Sequence, residues 1–91
     1  MNEQLILISD FINSTGAEFD FIDLLESEGL IETIERENKR YLPSERLGDL
    51  EMFTRLHYEL EINIEGIDVI NNLLGKISAM EEELRLLRNR I

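Results

Sequence analysis

Residues 19–30 read Phe19-Asp-Phe-Ile-Asp-Leu-Leu-Glu-Ser-Glu-Gly29-Leu30. Phe21, Leu24, Leu25 and Glu28 fall at three- and four-residue steps, the spacing of one helix face, and Gly29 suits the left-handed residue just past a helix end. The stretch predicts a helix of about ten residues. Upstream, Ser9 and Asp10 supply an N-cap signal before Phe11 and Ile12, and Gly16 ends a first short helix. Two short helices joined by a tight turn at Gly16 form a helix-turn-helix. The Leu-Ile-Leu-Ile run at 5–8 ahead of them is β-compatible.

Downstream of Gly29 the spacing changes from helical to alternating. Ile31, Thr33 and Glu35 alternate with Leu30, Glu32 and Ile34, Arg36-Glu-Asn38 makes a polar turn, and residues 39–42 return, so this segment predicts a two-stranded hairpin or wing. Pro43-Ser44-Glu45 restarts a helix, with Pro43 near its first position. Leu47, Leu50, Phe53, Leu56 and Leu60 then fall on one stripe, and the helix is expected to run to about Glu59. Asn63 suits the N-cap of a fourth helix that continues to the C-terminus.

That last helix carries the clearest periodicity in the chain. Ile70, Leu73, Ile77, Met80, Leu84, Leu87 and Ile91 keep an unbroken three-four alternation, the a/d seam of a coiled coil. Ile67 and Leu74 widen its first half into a face suited to packing on a core, whereas beyond Met80 the stripe narrows and needs a partner helix. A helix of about 28 residues is roughly 40 Å long, more than a small domain can cover. The seam therefore predicts a homodimer. Gly75 is a candidate kink, costing about 1 kcal/mol relative to Ala in an exposed helix. The resulting division is a winged helix-turn-helix-like domain over residues 1–62 and a C-terminal helix over 63–91.

Composition bounds the function. The chain has 91 residues, 43% of them apolar, with 20 acids against nine bases, a formal net charge of -11 and no cysteine. The length allows one compact domain with an extended helix. Without cysteine there is no disulfide, thiolate nucleophile or thiolate metal site, which is compatible with a reducing cytoplasm. A nucleic-acid surface must neutralise phosphates with Lys and Arg, and this chain is poorly supplied with both. The N-terminal stretch lacks a basic region and a long apolar run, so a cytoplasmic protein is expected, without membrane contact.

The residues that could carry chemistry are few. His57 is the only histidine, with Tyr58 beside it, and a lone histidine supports neither a metal site nor a triad; it reads as structural or partner-contacting. Glu81, Glu82 and Glu83 are consecutive on a helix and point about 100° apart, so they cannot converge on one ion. They read as a solvated flank, with Glu81 and Arg85 as an i,i+4 pair. The serines and threonines sit in cap or surface contexts. No enzyme mechanism can be put together from these residues, and no cofactor or metal is expected.

The order of helix-turn-helix, wing and two further helices ending in a seam resembles the MerR-like winged helix-turn-helix proteins. Glu28-Gly29-Leu30 matches the string that closes that family's second helix, Tyr41-Leu-Pro-Ser-Glu45 sits where its wing returns, and Asn63-Ile-Glu-Gly-Ile67 resembles its later helix start. Within that superfamily the chain resembles the chaperone-modulator (CbpM-like) proteins over nearly its whole length. Arg55-Leu-His-Tyr-Glu-Leu-Glu-Ile-Asn-Ile-Glu-Gly-Ile67, Leu73-Leu74 and the terminal Glu83-Leu-Arg-Leu-Leu-Arg-Asn-Arg90 run carry that likeness. The resemblance implies a mainly α fold with a long dimerisation helix. It also implies a non-enzymatic regulator that occupies the J-domain of a curved-DNA-binding J-protein co-chaperone and blocks its use of a DnaK-type chaperone.

One departure from the transcription-factor branch bears on mechanism. Where MerR-like regulators place Arg-Tyr-Tyr before Glu to grip phosphates, this chain has Asp23-Leu24-Leu25-Glu26. No Lys or Arg occurs before Arg36, and the first 43 residues hold ten acids and three bases. Carboxylates repel phosphates, which argues against direct DNA binding. Asp20, Asp23, Glu26 and Glu28 read either as a solvated face or as a dock for a basic partner surface, with Phe19 or Phe21 as an apolar anchor if exposed. Together with His57 and Tyr58 they form the candidate partner-binding set. A MerR-like DNA-binding regulator is the rival reading, and an adaptor whose seam joins another coiled-coil protein is a third.

Overall fold

The computed structural model describes residues 4–90. A strand β1 (Leu5–Leu7) runs straight into α1 (Ile8–Thr15), followed by α2 (Phe19–Ser27), strands β2 (Ile34–Arg36) and β3 (Lys39–Pro43), a 3₁₀ turn (Ser44–Arg46), α3 (Leu47–Tyr58) and α4 (Ile64–Arg88). This is a mainly helical winged helix-turn-helix with a small sheet and a long last helix.

The two helices of the helix-turn-helix end by the glycine chemistry their sequence announces. Gly16 takes φ 80° and its N–H donates to Ile12 O at 2.8 Å. At the end of α2, Gly29 takes φ 75°, its N–H donates to Glu26 O, and the Leu30 N–H donates to Leu25 O at 2.9 Å. That pair of bonds is a Schellman closure, and Leu30 and Leu25 are both buried, as its accompanying apolar contact requires.

The start of α1 differs from expectation. The N-cap position is Leu7, with no side-chain cap, and Ser9 and Asp10 lie inside the helix. Ile8 is buried and Leu5–Leu7 are paired in the sheet, so tertiary packing fixes the entry and Asp10 is left to favour the positive end of the helix dipole. In α2 the buried side is Phe21, Ile22 and Leu25; Leu24, expected on that stripe, is exposed.

The wing is shorter than the alternation suggested, and it is part of a three-stranded antiparallel sheet of order β1-β3-β2. Leu30 and Ile31 precede β2 and are buried in the core. Glu37 and Asn38 form the two-residue turn, both at positive φ (53° and 65°), the geometry that matches the right-handed twist of a hairpin. Pro43 is the last residue of β3, opposite Leu5, and the following turn precedes α3. It therefore does not open the helix.

Leu50 and Phe53 anchor α3 in the core, with Leu47 and Leu56 partly buried beside them. Leu60 lies beyond the helix end and is exposed, because the chain reverses through Glu61 at φ 55°. Asn63 caps α4, its Oδ1 accepting from the Gly66 N–H at 2.8 Å. A Cβ at position 66 would lie 2.7 Å from Ile62 Cγ2, so the close turn into α4 requires glycine.

Only the first turn of α4 joins the core, through Ile64 and Ile67. Ile70 is partly covered, and among the described residues from Leu73 onward every apolar side chain is exposed, including Leu74. The helix is continuous through Gly75. Arg85 pairs with Glu82, its Nε donating at 3.0 Å, in place of the expected Glu81. Asn63→Ala removes the cap and is expected to lower stability by about 1 kcal/mol, read as a shifted urea midpoint, while Asn63→Asp retains most of it.

Candidate partner-binding surface

At about 100° per residue, the exposed arc of α2 runs from Phe19 through Asp23, Ser27 and Asp20 to Leu24. Phe19 is 51% exposed and Leu24 50%, and they border an acidic strip. Phe21, by contrast, is buried. A cleft of ≈ 320 Å³ lined by Leu7, Phe19, Lys39 and Arg40 lies where the N-terminal end of α2 meets the sheet and the wing.

Two of the acids on α2 have an intrachain partner. Arg40 of β3 donates from Nη1 to Asp23 Oδ1 at 2.7 Å and from Nη2 to Glu26 Oε1 at 2.8 Å. Glu26 uses its second oxygen as well, accepting from the Thr33 N–H at 2.9 Å and the Thr33 hydroxyl at 2.7 Å. The Arg40 side chain is only 23% exposed. One carboxylate thus joins α2 to both the approach to the wing and its central strand. Partial burial pushes the Glu26 carboxyl upward, but the Thr33 hydrogen bonds and the Arg40 charge outweigh that and hold it below the usual carboxylate value.

His57 and Tyr58 belong to a different junction. The His57 ring stacks on Phe21 with centroids 4.5 Å apart, and its Nδ1 lies 3.0 Å from Ile62 O, so the tautomer carrying the proton on Nδ1 donates into the α3–α4 turn. The Tyr58 hydroxyl accepts from the Glu18 N–H at 3.0 Å, and its ring packs edge-on against Phe21 at 5.3 Å. These contacts hold the entry of α2 against the end of α3 from the buried side of α2.

The six nominated side chains are therefore not one surface. Asp23 and Glu26 hold the wing, His57 and Tyr58 hold the opposite junction, and Asp20 and Glu28 are exposed. Leu24 is an apolar surface residue that the sequence placed in the core. Of the seam, Leu73, Ile77, Met80, Leu84 and Leu87 are exposed and Ile70 partly so; Ile91 lies outside the described residues. Among the described residues no cluster of three His, Asp or Glu side chains could hold a metal, and no helix is long and apolar enough to cross a membrane.

The helix-turn-helix, the sheet-borne wing and the long terminal helix define a winged helix-turn-helix protein. The chain matches the MerR HTH family of regulatory proteins over residues 6–89 and belongs to it. No curated protein matches the chain.

The Glu26 pKa is lowered on folding, so its contribution to stability is present above the unfolded value of 4.5 and is lost as pH falls through the lower folded value. Glu26→Gln is expected to cost about 1 kcal/mol at neutral pH, allowing for solvent screening of a part-exposed group. Its loss on acidification should be smaller than that of the parent, measured by urea unfolding at a series of pH values.

Proposed function

We propose that this MerR-family regulator is a cytoplasmic homodimer that works by binding a protein. Its target in this reading is the J-domain of a curved-DNA-binding J-protein co-chaperone, whose activity it inhibits. The observation that carries the reading is the chemistry of α2. Its exposed face bears Asp20 and Asp23 with two apolar side chains and no base, Glu28 follows exposed at the helix end, and Arg40, the base nearest to it, is already held by Asp23 and Glu26. Such a face repels phosphate and attracts a basic surface with apolar patches. The chaperone-modulator resemblance of residues 55–67 and of the terminal run supports the choice of partner, and the exposed a/d seam supports the dimer.

The expected anchors are Phe19 and Leu24, with Asp20 and Glu28 steering association. Calorimetric titration with the J-domain of the J-protein from the same cell should give saturable heat, and the absence of heat at micromolar concentrations would remove the reading. Phe19→Ala and Leu24→Ala should each weaken binding by about tenfold or more without a large change in unfolding midpoint. Reversing the charge at Asp20 and Glu28 should slow association and flatten its salt dependence.

A DNA-binding regulator is the second reading, favoured by the family and by the exposed wing residue Lys39. A gel-shift series at low salt separates the two. Sequence-specific retardation of a duplex supports DNA binding, whereas no retardation alongside J-domain binding supports the protein partner.

A further inference from the structure

We infer that the groove between α1 and α3 receives a helix of another protein, one that carries a basic, an acidic and a basic side chain at successive four-residue steps. The groove has a volume of ≈ 720 Å³ and is bordered by Phe11 of α1 and by Gly48, Glu51, Arg55, Tyr58 and Glu59 on the α3 side. It uses none of the side chains assigned to the exposed face of α2, so the inference stands apart from the J-domain reading.

The charges of the groove have a register. Glu51, Arg55 and Glu59 follow one another at four-residue steps, which sets an acid, a base and an acid about 6 Å apart along one side of α3. All three are exposed, and among the described residues none of their side chains enters a hydrogen bond or ion pair, whereas Arg46 pairs with Asp49 and Arg85 with Glu82. The two hydroxyls in the groove wall are already used. Thr15 donates to Phe11 O at 2.8 Å and Thr54 to Leu50 O at 2.7 Å. What the groove offers an occupant is therefore the charge row beside the Tyr58 ring, which is 42% exposed.

Complementing acid, base, acid at the pitch of one helix requires base, acid, base at the pitch of another laid along it, and any other order in that register brings like charges together. From Gly48 to Glu59 the row spans about 16 Å, three turns of a docked helix. Gly48 suits a close approach at one end. Its φ is not positive, a Cβ there would meet nothing within 4 Å, and it lies in the first turn of α3, where alanine favours the helix more. Nothing within the chain requires glycine at this position, whereas a backbone passing over it gains the space. A second copy of the chain does not supply the occupant, because no base in the sequence is followed at three- or four-residue steps by an acid and then by another base.

Two synthetic helical peptides test the register on the full chain. Both carry leucines to face Phe11 and Tyr58 and have the same net charge, but one places Lys, Glu and Lys at four-residue steps and the other Glu, Lys and Glu. Titration followed by amide chemical shifts should show the first peptide binding about tenfold tighter or more, with the shifts centred on Phe11, Gly48 and Tyr58. In the triple variant Glu51→Lys, Arg55→Glu and Glu59→Lys the preference should reverse, with the urea midpoint near that of the parent because all three positions are exposed. Equal affinity for the two peptides, no binding of either at millimolar concentration, or shifts centred on another surface overturns the inference. Gly48→Ala gives a second readout. It should raise the urea midpoint while weakening the first peptide, and unchanged affinity overturns the approach of the occupant over Gly48.

Discussion

Arg40 holds the wing to the second helix, and the rest of the domain's surface chemistry follows from that contact. It lies on β3, the central strand, opposite Glu35 in the hairpin register, so fixing its guanidinium against Asp23 and Glu26 fixes the sheet against α2. Thr33 closes the arrangement by donating twice to the same Glu26 carboxylate. In a domain this small, a part-shielded pair with several hydrogen bonds on one carboxylate matters more than a solvent-exposed ion pair, which contributes about 0 to 1 kcal/mol. It also consumes the base closest to the exposed helix face, leaving that face acidic.

The last helix has two parts with different physics. Ile64 and Ile67 complete a core built from Phe21, Ile22, Leu25, Leu42, Leu50 and Phe53, and Asn63 and Gly66 set the angle at which the helix leaves it. Beyond Ile70 the helix carries a row of half-exposed aliphatic side chains. Each such residue taken alone is ordinary on a protein surface, but here they form a periodic apolar stripe along one helix face.

What was legible in the sequence was local. Gly29 with Leu30 and the Asn63 cap act through neighbours within a few positions, and the structure places both helix ends where the sequence expects them. The strand at Leu5–Leu7 reads from sequence only as β-compatible, because its partners in β3 lie 34 to 38 positions away. The face of α2 was misread at Leu24 because Phe19, Phe21, Ile22, Leu24 and Leu25 offer apolar residues on more than one side. Only packing into the shared core, where Phe21 meets His57 and Tyr58 of α3, decides which side is buried. The Arg40 contact joins residues 14 and 17 positions apart, with no local signature. One clue was present: Leu42 is a core residue, Arg40 is two positions from it on the same face of the strand, and an inward arginine needs a carboxylate.

The acidity of α2 can be weighed against what a DNA contact would have to supply. Non-specific binding to a duplex amounts to about -5 to -8 kcal/mol at physiological salt. A phosphate brought within 4 Å of one surface carboxylate meets a repulsion of about 4 kcal/mol at an effective dielectric near 20. Asp20 and the net negative charge of the Asp23–Glu26–Arg40 group each oppose that favourable term, before counting the cost of prising Arg40 away from Asp23 and Glu26. Screening over about 8 Å weakens the more distant acids but not those in direct contact. The same field acts with opposite sign on lysine and arginine side chains. A helix-turn-helix carrying this charge keeps the shape of a groove-reading module while its electrostatics oppose a phosphate surface and are complementary to a basic one.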